Sequence, residues 1–166
     1  MDAIFRLVDE LLLPGGNCTE FSFAPMASEV SFPDVDACYR LDENPAGLMA
    51  VHLVCTGQKM QLSFNDGGSL QTITAVIGSW TLNSFMAKHM IPTLHALLPT
   101  ERPEPIRAAA CAAVENGKLV LCLRYKSNPH TEWYDIRADE NTLRINIRSN
   151  ADALRPAGMR TFIGRK

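Results

Sequence analysis

From Leu119 onward the chain alternates between apolar and polar side chains with a period of two. Leu119, Leu121, Leu123 and Tyr125 interleave with Val120, Cys122, Arg124 and Lys126, and Leu143, Ile145 and Ile147 interleave with Arg144, Asn146 and Arg148. This is the spacing of strands with one buried face and one wet face. Asn116-Gly117 precedes the first run, and Asn-Gly is favoured where both central residues of a tight hairpin need positive φ. The run Arg107 to Val114 carries the alanines of a helix, yet its length and the hairpin turn after it predict a strand. The connections Ser127 to Thr131 and Asp139 to Asn141 are too short for the crossover that parallel strands require. Ile106 to Ser149 therefore reads as four consecutive antiparallel strands.

The pattern also runs through the earlier chain. A short strand is predicted over Cys38 to Leu41, stopped by the Pro and Gly of Asp42 to Gly47. Met49, Val51, Leu53 and Cys55 alternate with Ala50, His52 and Val54, and Met60, Leu62 and Phe64 alternate with Lys59, Gln61 and Ser63. Two strands follow, joined at Thr56-Gly57-Gln58, and Asn65-Asp66-Gly67-Gly68 turns the chain into a further strand over Leu70 to Ile77. Ser84 to Leu98 is read as irregular with some helix because Pro92 interrupts its spacing. Thr100 to Pro105 is a connector, and Met159 to Ile163 is expected to close the sheet. About eight or nine strands in meander order predict a mainly β, antiparallel up-and-down barrel, because closure removes exposed edges. A bent open sheet packed on the N-terminal helix is the alternative.

That helix is expected over Met1 to Leu13, where Ile4, Leu7, Val8 and Leu11 share a stripe and Pro14-Gly15-Gly16 ends the run. The stripe packs on its own domain or docks another domain or subunit, so homodimerisation through this helix is a further reading. Residues 1–36 are thus assigned as helix and linker, with Phe21, Phe23 and Phe32 as its anchors, and residues 37–166 as the barrel domain.

Composition narrows the class without naming a partner. With 166 residues the chain suits one core, and 16 Lys plus Arg against 18 Asp plus Glu is too balanced to indicate nucleic-acid binding. A hydrophobic share of 46% excludes a disordered chain. No apolar run approaches the roughly 20 residues that span a bilayer, and the acidic start is unlike a signal peptide, so a cytoplasmic location is expected. The five cysteines (Cys18, Cys38, Cys55, Cys111, Cys122) include no CxxC pair and read as reduced core thiols.

Chemical motifs are few. His52, His89, His95 and His130 form no HxH or HxxxH pair, so no metal site is expected. The nucleophile elbow, the P-loop and the dinucleotide fingerprint are all missing from the sequence, so neither a cofactor nor a catalytic residue is assigned. A small enzyme with a barrel-cavity site, using Arg124 with His52 or His130, is the alternative function. Arg124, Asp135, Arg137, Arg144 and Arg148 fall on the non-leucine face of their strands. They read as solvated cross-strand charges, or as contacts to an acidic ligand if the barrel interior is partly polar.

Several local motifs carry a family resemblance. Tyr39-Arg40-Leu41 followed by Glu43-Asn44-Pro45 and Gly47, then Gly78-x-Trp80, Arg124-Tyr125 with Pro129-His130-Thr131, and the terminal Gly164-Arg165 resemble the lipocalin-like β-domain that follows the catalytic domain of some bacterial serine hydrolases of the β-lactamase and penicillin-binding-protein type. The resemblance covers roughly Ala37 to Lys166. It implies a non-catalytic accessory domain that binds a partner surface, such as a serine-hydrolase catalytic domain, or a small apolar ligand. The hydrolase motifs themselves are missing, since Lys88 follows Ser84 by four residues rather than three. Trp80, Arg124, Tyr125 and His52 are the expected ligand-binding residues. Gly78-x-Trp80 resembles the lipocalin Gly-x-Trp, whose indole closes a barrel end beneath an arginine; Arg165 would take that part through a cation–π contact. The other reading is an ordinary core tryptophan.

Overall fold

Each run with clear period-two alternation forms a strand. The computed structural model describes residues 32–86, 105–125, 131–149 and 161–166. Within them the chain forms β1 (Val35–Leu41), β2 (Ala50–Thr56), β3 (Lys59–Asn65), β4 (Leu70–Val76), β5 (Thr81–Met86), β6 (Pro105–Glu115), β7 (Lys118–Tyr125), β8 (Thr131–Ala138), β9 (Thr142–Ser149) and β10 (Thr161–Arg165). The expected helix over Met1 to Leu13, most of its linker, most of Ser84 to Leu98 and most of the Ser127 to Thr131 turn lie outside the described residues. Among the described residues no helix is long and apolar enough to cross a membrane.

The strands make one antiparallel sheet in the order β4-β3-β2-β1-β10-β9-β8-β7-β6-β5. Consecutive strands are neighbours, and the first strand pairs with the last through Arg40↔Arg165 and Leu41↔Gly164. The sheet curls until its interior side chains meet. Phe64 on β3 and Tyr134 on β8 are separated in the sheet by β2, β1, β10 and β9, yet their ring centroids lie 6.4 Å apart. The result is a nearly closed lipocalin-like barrel, as the meander pattern predicts.

Local chemistry sets the turns. Asn116 (φ 50) and Gly117 (φ 70) both take the left-handed conformation, and the hairpin they form puts Glu115 opposite Lys118. In the β8–β9 hairpin the Asp139 carboxylate accepts the backbone N–H groups of Asn141 (2.9 Å) and Thr142 (2.6 Å). Hydrogen bonds led by that from the Thr142 side chain lower the pKa of Asp139. In the β1–β2 connection Asn44 Nδ2 donates to the carbonyls of Asp42 and Leu48, while its Oδ1 accepts the Leu48 N–H.

Two strands depart from local expectation. β6 is a strand despite its alanines, because its backbone is paired on both sides, with β5 and with β7. Tertiary pairing outweighs the helix preference of alanine there. β5 escapes the alternation signal because its pattern is inverted: Leu82 is 59% exposed, whereas Asn83 is buried. The closing strand occupies Thr161–Arg165 and so runs past the expected end at Ile163, while Met159 and Arg160 lie outside the described residues.

The edges β4 and β5 meet through a side chain in place of a regular ladder. Asn83 Oδ1 accepts the Thr74 N–H (2.8 Å), and Asn83 Nδ2 donates to the Thr74 carbonyl (2.9 Å) and the Thr81 carbonyl (3.0 Å). The connecting turn adds an antiparallel bridge between Val76 and Ser79 and a Gly78 N–H bond to the Ala112 carbonyl.

At the β1–β10 junction the packing is tight. A Cβ on Gly164 would stand 2.9 Å from Tyr39 Cβ and 3.2 Å from Leu41 Cδ2, so only glycine lets these strands approach. The core fills the inside of the barrel, with Leu53, Leu62, Leu121, Ile136, Ile145 and Phe162 almost wholly buried. Phe32, ahead of β1, is part of the same core.

Candidate functional site

The inner face carries a carboxylate where alternation would place a leucine. Along β8, Glu132, Tyr134 and Ile136 share one face, and cross-strand register puts Glu132 opposite Leu123 and Ser149, and Tyr134 opposite Leu121 and Ile147. Glu132 is fully buried. Its Oε2 accepts the Tyr134 hydroxyl at 2.7 Å and the Tyr125 hydroxyl at 3.0 Å. Both phenols are buried in the inner core. The group lies at the end of the barrel where β5, β7 and β9 finish and β6, β8 and β10 begin.

The surroundings of this group are small and apolar. On β6, Ala108 pairs with Tyr125 and Ala110 with Leu123, the residue that in turn faces Glu132. Ala108, Ala110 and Ala112 all belong to the inner core. Each projects only a methyl group inward, so β6 contributes little bulk beside the carboxylate. Pockets for small ligands have this composition, a mainly apolar lining with a few convergent polar groups.

The opposite end of the interior is built differently. Tyr39 is fully buried there, its hydroxyl donating to the Asp139 carbonyl at 3.4 Å. Burial, and then the Asp139 charge, pushes this phenol above its ordinary pKa. Lys166 Nζ stands 5.7 Å from the Tyr39 ring centroid.

The four residues expected to bind ligand fall in three places. Tyr125 faces inward and belongs to the carboxylate group. Trp80 and Arg124 come together on the outer face, with the guanidinium 5.5 Å from the indole centroid. Trp80 packs there with Ala109, Cys111 and Cys122, and Trp133 lies against the same cluster. His52 is on the outer face of β2, its Nε2 2.7 Å from Asp36 Oδ1. The arginine over Trp80 is therefore Arg124 and not Arg165, which instead bridges to Asp42 at 2.5 Å. The lipocalin resemblance suggested Arg165, but the β5–β6–β7 pairing brings Arg124 to the indole.

The outer charges behave as cross-strand partners. Asp135 receives Lys118 at 3.3 Å and Arg148 at 3.4 Å, and Arg148 also stands over the Trp133 ring at 5.8 Å. Arg124 and His52, paired in the alternative enzyme reading, are on strands separated by β1, β10, β9 and β8 and do not converge. His130 lies outside the described residues.

Buried thiols on both faces are held protonated. Desolvation raises Cys55, on the inner face, to about 11, Cys111 to about 11 and Cys122 to about 12. Such thiols are not thiolate nucleophiles near neutral pH. Cys38, Cys55, Cys111 and Cys122 are all free.

Sequence reasoning missed Glu132 and Tyr134. The available signal was register: in Thr131 to Arg137, Glu132 occupies the same parity as Tyr134 and Ile136.

No protein-family model matches the chain, and no curated protein matches it. Among solved structures it is similar to the fatty-acid-binding protein from brain tissue of Drosophila melanogaster, solved without citrate inside, at 12% identity and a TM-score of 0.48, covering 82% of this chain and 99% of that one. It is also similar to fatty-acid-binding protein 1 of Echinococcus granulosus, at 10% identity and a TM-score of 0.43, covering 78% of this chain and 92% of that one. Neither similar structure is described as a serine-hydrolase appendage. At these identities and TM-scores the likeness says nothing of ligand or site residues.

Proposed function

We propose that the protein is a non-catalytic, lipocalin-like binding protein that holds a small, largely apolar ligand inside the barrel, with Glu132, Tyr125 and Tyr134 orienting the ligand's polar end. The observation that carries this reading is the fully buried carboxylate on a face otherwise lined by leucine, isoleucine, phenylalanine and alanine. Stability alone gives no reason for it, because a well-packed apolar side chain in place of a buried ionic group is often neutral or stabilising. A buried carboxyl group that accepts two phenolic hydroxyls is instead a polar point that can orient a ligand in a lining that supplies mainly hydrophobic contact. The hydrolase-accessory reading has only the loose sequence motifs behind it.

Titration with the neutral fluorophore N-phenyl-1-naphthylamine tests the proposal. The expected result is saturable, one-site enhancement that unlabelled aliphatic compounds displace. Ala110→Phe, which adds bulk to the inner face two strands from Glu132, is expected to abolish that binding while the protein still unfolds cooperatively. Enhancement that never saturates, or that survives intact in a folded Ala110→Phe protein, would overturn it.

A further inference from the structure

We propose that Cys38, on the outer wall of the barrel, is a thiol-exchange site, a cysteine that His52 and Asp36 activate for reversible modification by small disulfides. The site is independent of the barrel interior and of the ligand reading above. Register brings its parts together. Cys38 lies directly opposite His52 in the β1–β2 pairing. Asp36 and Cys38 alternate with buried Ala37 and Tyr39 along β1, and His52 lies between buried Val51 and Leu53 on β2, so all three side chains share the outer face.

The pair is also of the closer kind. Thr56 and Lys59 flank the two-residue β2–β3 turn, so the peptide groups of Thr56, Val54 and His52 point to β3 and those of Cys55, Leu53 and Val51 point to β1. The Leu41 N–H, which donates to the Met49 carbonyl, follows the same phase. Cys38 and His52 are therefore opposite each other without exchanging backbone hydrogen bonds, the arrangement that brings facing side chains nearest, with Cβ atoms about 4.5–5.5 Å apart.

The imidazole is held by a carboxylate. His52 Nε2 stands 2.7 Å from Asp36 Oδ1, and a neutral imidazole that donates from Nε2 keeps a lone pair on Nδ1. A nucleophile, a base beside it and a third group that orients the base are the parts of an activated thiol. Arg40, two residues further along the same face of β1, adds positive charge on the other side of the sulfur. Cys55, Cys111 and Cys122 are buried, whereas Cys38 is exposed. The approach is open as well. β10 is in register with β1 only at Arg40 and Leu41, so among the described strands none lies beside Cys38 on the flank away from β2.

The exchange balances without a further reagent. The Cys38 thiol gives its proton to His52 Nδ1, and the thiolate attacks one sulfur of a disulfide R–S–S–R. The bond from Cys38 Sγ to that sulfur forms as the S–S bond breaks, and the departing thiolate takes the proton from the imidazolium and leaves as RSH. A small thiol reverses the step.

The test exposes the reduced full chain to glutathione disulfide near neutral pH and follows each cysteine separately by peptide mass mapping. Cys38 is expected to form its mixed disulfide at least about tenfold faster than the same cysteine in an unfolded peptide spanning Val35 to Leu41, because an ordinary thiol is only a few per cent thiolate there. His52→Gln is expected to bring the rate down to that of the peptide. Asp36 is a positioning residue that acts through His52. Asp36→Asn is therefore expected to slow exchange severalfold in the wild-type background and to change nothing in the His52→Gln background, a dependence that altered packing alone would not produce. The side chains of His52 and Asp36 are 44% and 76% exposed, so both variants are expected to fold. Wild-type Cys38 reacting at the rate of the peptide would overturn the proposal, as would an unchanged rate in His52→Gln. Equal slowing by Asp36→Asn in both backgrounds would overturn the role given to Asp36.

Discussion

Along β6 and β7 both faces of the sheet are largely buried, and the polar groups beside them are held in opposite ways. On the inner face a carboxylate accepts two phenolic hydroxyls among alanine and leucine. On the outer face a guanidinium lies over an indole, above two directly opposed cysteines. Inner Ala108, Ala110 and Leu121 and outer Ala109, Cys111 and Cys122 are all buried, so burial does not distinguish lining from exterior there. What distinguishes them is the kind of contact: the inner carboxylate takes two phenolic hydroxyls on one atom, whereas the outer guanidinium stands over an indole.

The largest effect that sharpens this comparison is expected from Tyr134→Ala. It removes a fully buried ring packed on Phe64 and one of the two donors to Glu132. A loss of about 3–5 kcal/mol in urea denaturation is expected, the usual cost of deleting a core aromatic. A loss under about 1 kcal/mol would show that the lining collapses around the gap.

Asn83→Ala tests whether every inner polar group serves a ligand. Asn83 closes the β4–β5 junction with its bonds to Thr74, so its loss strands buried backbone groups at a cost of about 1–3 kcal/mol. Saturable fluorophore binding is expected to persist in this variant. A loss of that binding in the folded protein would make Asn83 part of the ligand site rather than of the seam.

Arg124→Met tests the outer face. Loss of the contact over Trp80 is expected to cost about 0.5–2 kcal/mol, with fluorophore binding unchanged. A change in binding would show that the outer cluster communicates with the lining.

The smallest effect concerns the thiols and draws on both faces. Their pKa values are raised in the folded state from 9.0 to about 11 for Cys55 and Cys111 and about 12 for Cys122. Below pH 9 both states hold these protons and the thiols contribute no pH dependence. Above it the unfolded chain loses them first, so stability falls as pH rises from about 9 through 11 to 12. Denaturation curves across that range check the sign; a rise in stability would contradict it. At pH 8, exposed Cys38 is expected to react with a thiol reagent well before the three buried cysteines.

Much of the barrel was legible in local sequence, and the exceptions are instructive. Asn116-Gly117 took the predicted left-handed turn because that geometry is a property of the two residues themselves. β5 was hidden because its apolar residue Leu82 points out and its polar residue Asn83 points in, and what makes Asn83 tolerable inside is the Thr74 backbone brought to it by curling of the sheet. The candidate site was legible only at Tyr125. Glu132 was not singled out from sequence, since its burial depends on Leu123 and Ser149 across two strand pairings.

Sequence by itself determined the period-two strands, their turns and the antiparallel meander, because those depend on contacts between near neighbours in the chain. Tertiary structure alone decided which arginine covers Trp80, how the β4 and β5 edges are joined, and that a carboxylate sits among apolar side chains inside the barrel. Each of these depends on residues from separate strands meeting once the sheet closes, and alternation along a single strand shows that a residue has two faces to choose from without showing what waits on either.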